Sequence, residues 1–390
     1  MSTDVATKKI SVEKAVRERY SDGAHAQEAA LCCPVDYDRK YLEIIPQEII
    51  ERDYGCGDPS RFVKEGETVL DLGSGTGKIC YIISQMVGAQ GRVIGVDMNT
   101  EMLSLARRYQ DEVAEKTGYK NVEFRHGKIQ DLRLDLDRAD VYLRENPIQD
   151  TGDYLKYEEF LQEQKANHPL IPDESIDLVV SNCVLNLVSD DDKKQLFAEI
   201  FRVLKPGGRV AISDIVSDEE IPGHFKNDSE LWSGCLSGAL TEVDFLEQFA
   251  RIGFYGLQIE KRDERPWQVV EGIEFRSLTL TANKGKEGPC KERRQAVIYK
   301  GPWKAVVDDD GHTLYRGQRM AVCDKTYTIY GKAPYADQII PVEPYDTIAL
   351  EEAETFVCQK DAIRDARETK GLEYNLTQMT DGPVCGDGCC

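Results

Sequence analysis

The sequence has 390 residues, enough for two or three domains of ordinary size and at least one large hydrophobic core. Hydrophobic residues make up 41% and charged residues 31% of the chain, which excludes a disordered or fibrous protein. The formal net charge of −21 argues against nucleic acids and anionic membranes as partners. No apolar stretch reaches the roughly 18 residues of a spanning helix, and the N-terminus lacks the apolar core of a signal peptide. We therefore expect a globular, cytoplasmic protein.

Helical and extended patterns alternate along the first two thirds of the chain. Strands that alternate with helices of 10 to 16 residues indicate right-handed crossover units. We therefore predict an α/β fold with a doubly wound, Rossmann-like, mostly parallel sheet. In chain order, the predicted elements are a helix over 11–20, a strand over 68–72, a helix over 78–86, a strand over 92–97, a helix over 100–115, strands over 122–126 and 176–181, a helix over 190–204 and a strand over 209–214.

Composition changes divide the chain further. Residues 132–171 are charged and lack a sustained period, so we interpret them as a surface insertion. After the basic bridge at 284–294, a segment rich in Val, Ile, Tyr and Thr, with the turn DDDGH at 308–312, predicts a small β-rich domain. The expected organisation is an N-terminal helical segment with Cys32 and Cys56 (1–64), a ligand-binding region (65–284), a small C-terminal domain (295–370) and a Cys-rich tail (371–390).

A glycine loop follows the first predicted strand. Asp71 and Leu72 are followed by Gly73, Gly75 and Gly77, directly before a predicted helix. These glycines allow a sharp turn and a close approach to a ligand, and the helix N-terminus favours an anionic group such as a carboxylate. The G-x-G-x-G spacing differs from that of dinucleotide and phosphate-cradling loops. Asp97 ends the second strand, where a carboxylate can accept hydrogen bonds from both hydroxyls of a ribose.

Together with the LKPGG segment at 204–208, these features resemble the pattern of class I S-adenosylmethionine-dependent methyltransferases over about residues 65–215. The resemblance implies S-adenosylmethionine as the co-substrate and an open sheet with the ligand at the carboxyl ends of its strands. The candidate cofactor contacts are Asp71, Gly73, Gly75, Asp97, Met98, Gly127 and Lys128.

Four of the twelve cysteines stand in distinctive settings: Cys32 beside Cys33, Cys56 in YGCG, Cys183 in SNCVLNLV and Cys235 in LWSGCLSGAL. In a cytosolic chain we expect thiols rather than permanent disulfides. Cys183 lies just past the carboxyl end of the fourth strand, on the methyl-acceptor side. Thiolates are soft ligands, so several of them beside a methyl donor suit a thiophilic trivalent acceptor better than an oxygen or carbon nucleophile.

These three cysteine motifs, on a methyltransferase scaffold with a Cys-rich tail, resemble the arsenite methyltransferase family over nearly the whole chain. The resemblance implies methyl transfer to trivalent arsenic, giving mono-, di- and possibly trimethylated arsenicals as a detoxification. It implies Cys183 and Cys235 as arsenic ligands, and Cys56 with Cys32 as a thiol pair that serves the first methylation, with Cys56 as a third ligand. The substrate would be a glutathione or other thiol conjugate of arsenic, and thioredoxin or glutathione the reductant.

The sequence departs from the family pattern at two positions. Where the family commonly has Tyr-Tyr-Gly-Cys, this chain has Asp53 before Tyr54, and where the family usually has Glu before its fourth cysteine, this chain has Gly234. An aromatic cofactor contact and a carboxylate are therefore missing or moved. The sequence also does not decide whether Cys32 or Cys33 is the functional thiol.

Two alternatives remain open at this stage. The acceptor could be an organic molecule with the cysteines structural, or the protein could sequester a metalloid without turnover. The glycine loop and Asp97 argue against sequestration, which needs no methyl donor. The five histidines lack metal-ligand spacing, so no structural metal is expected, and the cysteines without an assigned role are isolated along the sequence: Cys80, Cys290, Cys323 and Cys358.

Overall fold

The structure, a computed structural model, describes residues 12–26, 28 and 35–377. Cys32, Cys33 and the tail cysteines Cys385, Cys389 and Cys390 lie outside the described residues. The chain divides into two compact units, of which the first ends at Gly285 and the second begins at Lys286.

The helices of the first unit are α1 (Val12–His25), α2 (Arg39–Leu42), α3 (Gln47–Glu51), α4 (Lys78–Val87), α5 (Thr100–Arg108), α6 (Gln110–Thr117), α7 (Leu136–Glu145), α8 (Thr151–Asn167), α9 (Asp190–Val203), α10 (Ser229–Ser233) and α11 (Glu242–Ile252). Its strands are β1 (Thr68–Leu72), β2 (Arg92–Asp97), β3 (Val122–His126), β4 (Ile176–Asn182), β5 (Leu204–Ser217), β6 (Leu240–Thr241), β7 (Tyr255–Arg262), β8 (Gln268–Val270) and β9 (Ile273–Asn283).

The strands of the first unit form one sheet in the order β3-β2-β1-β4-β5-β9-β7, with β6 beside β5 and β8 beside β9. The pairs from β3 to β5 are parallel, whereas β9 runs antiparallel to both β5 and β7. This is the doubly wound, mostly parallel sheet that the sequence predicts. The chain leaves β1 towards β2 on one side and returns to β4 on the other, so the carboxyl ends of β1 and β4 border a crevice.

The predicted strands are close to the observed ones because β1, β2 and β4 are apolar runs that are buried within the sheet. Residues Val69 to Leu72 of β1 are buried, as are five consecutive residues at the end of β4. Two predictions need correction. The helix expected over 100–115 is divided at Tyr109 into α5 and α6, and β5 extends beyond the predicted 209–214 in both directions.

The segment 132–171 is an insertion built mainly of two helices, α7 and α8, which the sequence reading did not predict. Side-chain caps begin both helices: Asp135 accepts from the amide of Arg138, and Asp150 accepts from that of Asp153. Tyr142 stacks on Phe160 with ring centroids 4.2 Å apart, which joins the two helices. Because α8 is polar around most of its circumference, periodicity gives no signal for it.

The second unit contains β10 (Lys291–Glu292), β11 (Ala296–Tyr299), β12 (Ala305–Val307), β13 (Thr313–Tyr315), β14 (Arg319–Ala321), α12 (Asp324–Tyr330), β15 (Ile339–Val342), β16 (Glu354–Thr355) and α13 (Ala366–Lys370). It is the β-rich unit that the sequence predicts, made of small antiparallel sheets in the orders β14-β11-β15, β10-β16 and β12-β13. The segment DDDGH at 308–312 joins β12 to β13 as the predicted turn.

An aromatic cluster on α11 stabilises the antiparallel end of the first unit. Phe249 is fully buried, and its ring centroid lies 5.0 Å from that of Phe197 and 5.6 Å from that of Phe254. We expect Phe249→Ala to lower the free energy of unfolding by about 3 to 5 kcal/mol, because the substitution leaves a large cavity. Val243→Ala, at an exposed position on the same helix, should change it by less than about 0.5 kcal/mol. Urea unfolding of both variants tests this difference, and equal effects would contradict the assigned packing.

Candidate active site

A cleft opens at the carboxyl ends of β1, β2 and β4. Its wall brings together five residues that the sequence singles out: Gly73, Gly75, Asp97, Met98 and Cys183. Helix α1 also lines the cleft, with side chains that include Val16 and Tyr20. The sequence predicts this helix but does not place it over the site.

The glycine loop after β1 turns through left-handed backbone conformations. The φ angles of Gly73, Gly75 and Gly77 are 71°, 52° and 87°, a region that glycine adopts without strain. A Cβ on Gly73 would lie 2.4 Å from the Val184 side chain, so only glycine fits there. A Cβ on Gly75 would meet no atom within 4 Å, so the backbone at Gly75 faces open space. This cradle fits a ligand that approaches the backbone closely.

Asp97 connects this loop to the next strand. Its Oδ2 accepts from the amide of Gly75 at 2.8 Å, and its Oδ1 accepts from the amide of Asn99 at 2.8 Å. Burial raises the pKa of Asp97, although these hydrogen bonds work in the opposite direction. Each carboxylate oxygen keeps further acceptor capacity, so Asp97 can still accept bonds from two ribose hydroxyls.

Asn99 holds α1 against the end of β2. Its side-chain amide donates to the carbonyl of Arg17 at 3.2 Å and to Oγ of Ser21 at 3.1 Å, while its Oδ1 caps the first turn of α5. Sequence reasoning missed this residue, although an Asn directly before a helical period is a recognisable cap signal.

Three predicted cofactor contacts lie away from the cleft wall. Asp71 is 2% exposed and accepts a hydrogen bond from Sγ of Cys80 at 3.2 Å. Gly127 lies tightly against Leu170, and Lys128 forms an ion pair with Glu13 at 2.8 Å. The residues after β3 that do line the cleft are Ile129 and Gln130. The expected contacts of Asp71, Gly127 and Lys128 with the cofactor therefore remain predictions.

Cys56 and Cys183 lie together at the edge of the cleft, where they form a disulfide with their Cα atoms 5.9 Å apart. The side chain of Asn182, at the end of β4, holds them there. Its Oδ1 accepts from the amides of Cys56 and Gly57 at 2.9 and 3.1 Å, and its Nδ2 donates to the carbonyl of Gly57 at 2.8 Å. The sequence predicts that Cys56 pairs with Cys32, which lies outside the described residues. In the structure, Cys56 is joined to Cys183.

The glycines of the YGCG motif permit this close approach. A Cβ on Gly55 would lie 2.3 Å from Nδ2 of Asn182, and a Cβ on Gly57 would lie 2.4 Å from Oγ of Ser213. Oγ of Ser277 donates to the carbonyl of Cys56 at 2.7 Å from the opposite side. The motif is therefore a backbone segment packed directly against the end of β4 and against β5 and β9.

Cys235 is the third cysteine of this group. Its thiol donates to the carbonyl of Cys183 at 3.3 Å, and its side chain is buried. Cys183 and Cys235 both have left-handed backbones, with φ angles of 60° and 64°, which are strained for residues other than glycine. Burial, followed by contact with Cys235, raises the pKa of Tyr20, whose phenol lies beside this thiol. Cys56, Cys183 and Cys235 thus converge, although they are distant in sequence.

A charged side chain lies beside each of the two positions, Asp53 and Gly234, at which the sequence departs from the family pattern. Asp53 forms a nearly buried ion pair with Lys78 at 2.6 Å, at the start of α4, and lines the cleft. A Cβ on Gly234 would lie 3.4 Å from Nη1 of Arg19. Arg19 instead pairs with Glu28, whose Oε1 lies 2.8 Å from its Nε. A carboxylate for Arg19 is therefore supplied by another segment of the chain.

Comparisons with known proteins agree with this architecture. A family model described as a methyltransferase domain matches residues 63–167 and 154–268, and a domain of unknown function, DUF8838, matches residues 286–374. The arsenite methyltransferase of Aquipseudomonas alcaligenes is 33% identical over 309 residues, which cover 76% of this chain and 78% of that protein. The arsenite methyltransferase of Mus musculus is 30% identical over 368 residues, 90% of this chain and 88% of that protein.

Among solved structures, an arsenic(III) S-adenosylmethionine methyltransferase from Chlamydomonas reinhardtii is similar, with a TM-score of 0.54 and 28% sequence identity over 84% of this chain and all of that one. The sheet order, the glycine loop and Asp97 define a class I S-adenosylmethionine-dependent methyltransferase. Within that class, the chain belongs to the arsenite methyltransferase family.

Asp97 provides a test of the cofactor site. We expect Asp97→Ala to weaken S-adenosylmethionine binding by at least about tenfold, because each charge-assisted hydrogen bond contributes about 1.5 to 3 kcal/mol. Calorimetric titration measures the change, and Asp111→Ala, which removes a carboxylate exposed on α6, is the control. Unchanged affinity in the Asp97 variant would rule out the assigned role.

Asp71 provides a test of how a buried carboxyl group changes the stability of the protein with pH. Burial raises its pKa from 3.8 to about 7, so ionisation of Asp71 opposes folding. A raised folded-state pKa gives stability that is fully present below the unfolded-state pKa and is lost as the pH rises through the folded-state value. Asp71→Asn should therefore gain stability over the wild type between pH 4 and 7, on the order of 4 kcal/mol, with little further gain above pH 8. Urea unfolding of the ligand-free protein across this range, with Asp111→Asn as an exposed-carboxylate control, measures the difference.

Proposed function

We propose that the protein transfers methyl groups from S-adenosylmethionine to trivalent arsenic that is bound by cysteine thiolates. The observation that carries this proposal is the convergence of Cys56, Cys183 and Cys235 beside a cleft lined by the glycine loop and Asp97. Thiolates are the ligands that a soft, thiophilic acceptor prefers. The names of the relatives, arsenite methyltransferases, support the same acceptor.

The chemistry follows from this ligand set. S-adenosylmethionine, which the glycine loop and Asp97 would hold, would supply an electrophilic methyl group. Arsenic bound by Cys183 and Cys235 keeps a lone pair that can attack this methyl group in line. The protein then contributes mainly proximity and orientation, and no side chain is needed as a general base. Cys183 and Cys235 are adjacent, because the Cys235 thiol donates to the carbonyl of Cys183.

The disulfide between Cys56 and Cys183 gives the redox part of the proposal. Methylation converts arsenic from the trivalent to the pentavalent state, and two thiols that close to a disulfide return two electrons to it. Cys56 and Cys183 are placed to be these two thiols. In the disulfide form Cys183 cannot bind arsenic, so an external dithiol or two monothiols must reduce the pair before each cycle and leave as a disulfide.

The partners and the location follow from the same chemistry. We infer that thioredoxin or glutathione is the reductant and that the substrate arrives as a thiol conjugate, since thiol exchange delivers both electrons and arsenic. The described residues contain no helix that is long and apolar enough to cross a membrane. A cytoplasmic location, where thiols stay reduced, remains a prediction, and so does a detoxifying role with mono-, di- and possibly trimethylated products.

Substitution of the cysteines tests this proposal. Cys183→Ser and Cys235→Ser should each abolish methylation of arsenite and of monomethylated trivalent arsenic, because a hydroxyl replaces a soft thiolate. Cys56→Ser should block the first methylation, because it removes the third arsenic ligand, while the monomethyl substrate, which needs two ligands, still turns over with the excess external thiol as the reductant. The assay supplies both substrates with excess thiol and separates the products by chromatography with arsenic detection.

Cys80→Ser is the matched control, because it removes a buried thiol away from the cleft wall and keeps a hydrogen-bond donor towards Asp71. It should retain most of the activity. An active Cys183→Ser variant would disprove the proposed acceptor site and would favour an organic acceptor, whose methylation is independent of these thiols. A Cys56→Ser variant that is inactive on both substrates would refute only the assignment of Cys56 to the first methylation alone.

A further inference from the structure

The second unit brings together cysteines that are far apart in the sequence. The amide of Phe356 donates to the carbonyl of Cys290 at 2.9 Å, beside the antiparallel pair β10 and β16. Cys358 follows Phe356 by two residues, on the segment that this hydrogen bond joins to Cys290. Cys290 and Cys358 therefore lie on adjacent segments. The sequence-based view of these cysteines as isolated is wrong in three dimensions.

Cys323 joins this group from α12, which packs against β10. It is the buried N-cap residue of that helix, and its Sγ accepts from the amide of Thr326 at 3.4 Å. The Cys290 thiol lies close enough to the Cys323 thiol to interact with it. Burial, followed by this contact and by the nearby Cys358, raises the pKa of the Cys290 thiol. Two adjacent thiols are a chelating pair for a thiophilic atom.

Cys358 has a histidine beside its exposed thiol. Nε2 of His312 lies 3.3 Å from Sγ of Cys358, and Nδ1 of His312 lies 2.9 Å from Oδ2 of Asp308. The hydroxyl of Tyr330 donates to the same Asp308 oxygen at 2.6 Å. Burial alone would raise the pKa of Asp308, but the hydrogen bonds from His312 and Tyr330 lower it. The carboxylate therefore fixes the imidazole in an orientation in which it can take a proton from the Cys358 thiol.

We propose that the second unit holds a separate arsenic-binding site, in which Cys290 and Cys323 chelate a trivalent arsenical and Cys358, beside His312, is the thiol that reacts first. The choice of arsenic as the occupant rests on the proposed function. Two thiolates suffice for a trivalent arsenical, whereas structural zinc takes four ligands. Within the residues that the structure describes, no group of three or more His, Cys, Asp and Glu side chains is arranged to hold a metal ion.

The binding reaction involves no change of oxidation state. With As(OH)₃, the Cys358 sulfur forms an As–S bond as one As–O bond breaks, and His312 passes the thiol proton to the departing hydroxide, which leaves as water. The Cys290 thiol then displaces the Cys358 sulfur and returns a proton to it. The Cys323 thiol displaces a second hydroxide as water. The product is a dithiolate, (RS)₂AsOH, with two molecules of water released and a regenerated Cys358 thiol.

The experiment counts phenylarsine oxide, which occupies two thiols, on the reduced full-length protein without S-adenosylmethionine. Native mass spectrometry gives the number of phenylarsine oxide molecules bound, and stopped-flow mixing gives the rate of binding. Cys290→Ser and Cys323→Ser should each bind one equivalent fewer than the wild type. Cys358→Ser and His312→Gln should bind the full number, but fill this site at least about tenfold more slowly, as expected when proton transfer is impaired. Cys80→Ser is the control and should match the wild type in both measurements.

Several results would overturn the proposal. Full stoichiometry in both Cys290→Ser and Cys323→Ser would show that these thiols do not chelate arsenic. So would an arsenical adduct that peptide mapping finds only outside the second unit, or retention of added Zn²⁺ at Cys290 and Cys323 in place of the arsenical. Thermal unfolding of each variant, with Cys290→Ala and Cys323→Ala as second substitutions, separates lost ligands from lost folding. The count does not depend on methyl transfer, so failure of the proposed function would leave the result interpretable.

Discussion

The side-chain amide of Asn182 is the contact on which the acceptor site depends. Residues 56 and 183 are separated by 127 positions in the sequence. The side-chain amide of Asn182 holds the two segments together through hydrogen bonds to the backbone of Cys56 and Gly57. Because this amide is buried, loss of its partners would leave polar groups unsatisfied at a cost of about 1 to 3 kcal/mol each. The segment with YGCG is therefore fixed to the end of β4, and glycines at 55 and 57 are needed for it to approach.

The two halves of the active site are built on different physical principles. The cofactor half is local: a strand, a glycine turn and a helix follow one another, and Asp97 on the adjacent strand accepts from the turn. The acceptor half is assembled from four separate segments: α1, the YGCG segment, the end of β4 and the residues after α10. An open α/β sheet supplies one rigid edge at which both halves meet, and the acceptor can vary without change to the donor site.

The departures at Asp53 and Gly234 show how such a site tolerates change. Each is accompanied by a compensating charge: Lys78 beside Asp53, and Glu28 for the guanidinium of Arg19. Both pairs are partly or largely shielded from solvent, where an unpaired charge would be costly. Helix α1 is thereby held over the cleft by charge as well as by the amide of Asn99. Tyr20 of this helix lies beside the buried thiol of Cys235.

Several features of this protein were determined by the sequence alone, because they rest on short-range patterns. Apolar runs of strand length, helical periods and the spacing of Gly73, Gly75 and Asp97 fixed the α/β class and the cofactor loop. The fold and family expected from them are confirmed by the methyltransferase-domain match and by the relatives. The polar helix α8 gave no such pattern, since its stability comes from caps and from aromatic stacking on α7.

Only the tertiary structure decided which distant groups meet. It joined Cys56 to Cys183, placed Cys235 beside the carbonyl of Cys183, and buried Asp71 beside the Cys80 thiol. It also gathered Cys290, Cys323 and Cys358, which are separated by more than thirty residues along the chain. A thiol carries no sequence signal for its partner, because the pairing depends on the register of strands and the packing of helices. These are set by the whole core rather than by the neighbouring residues.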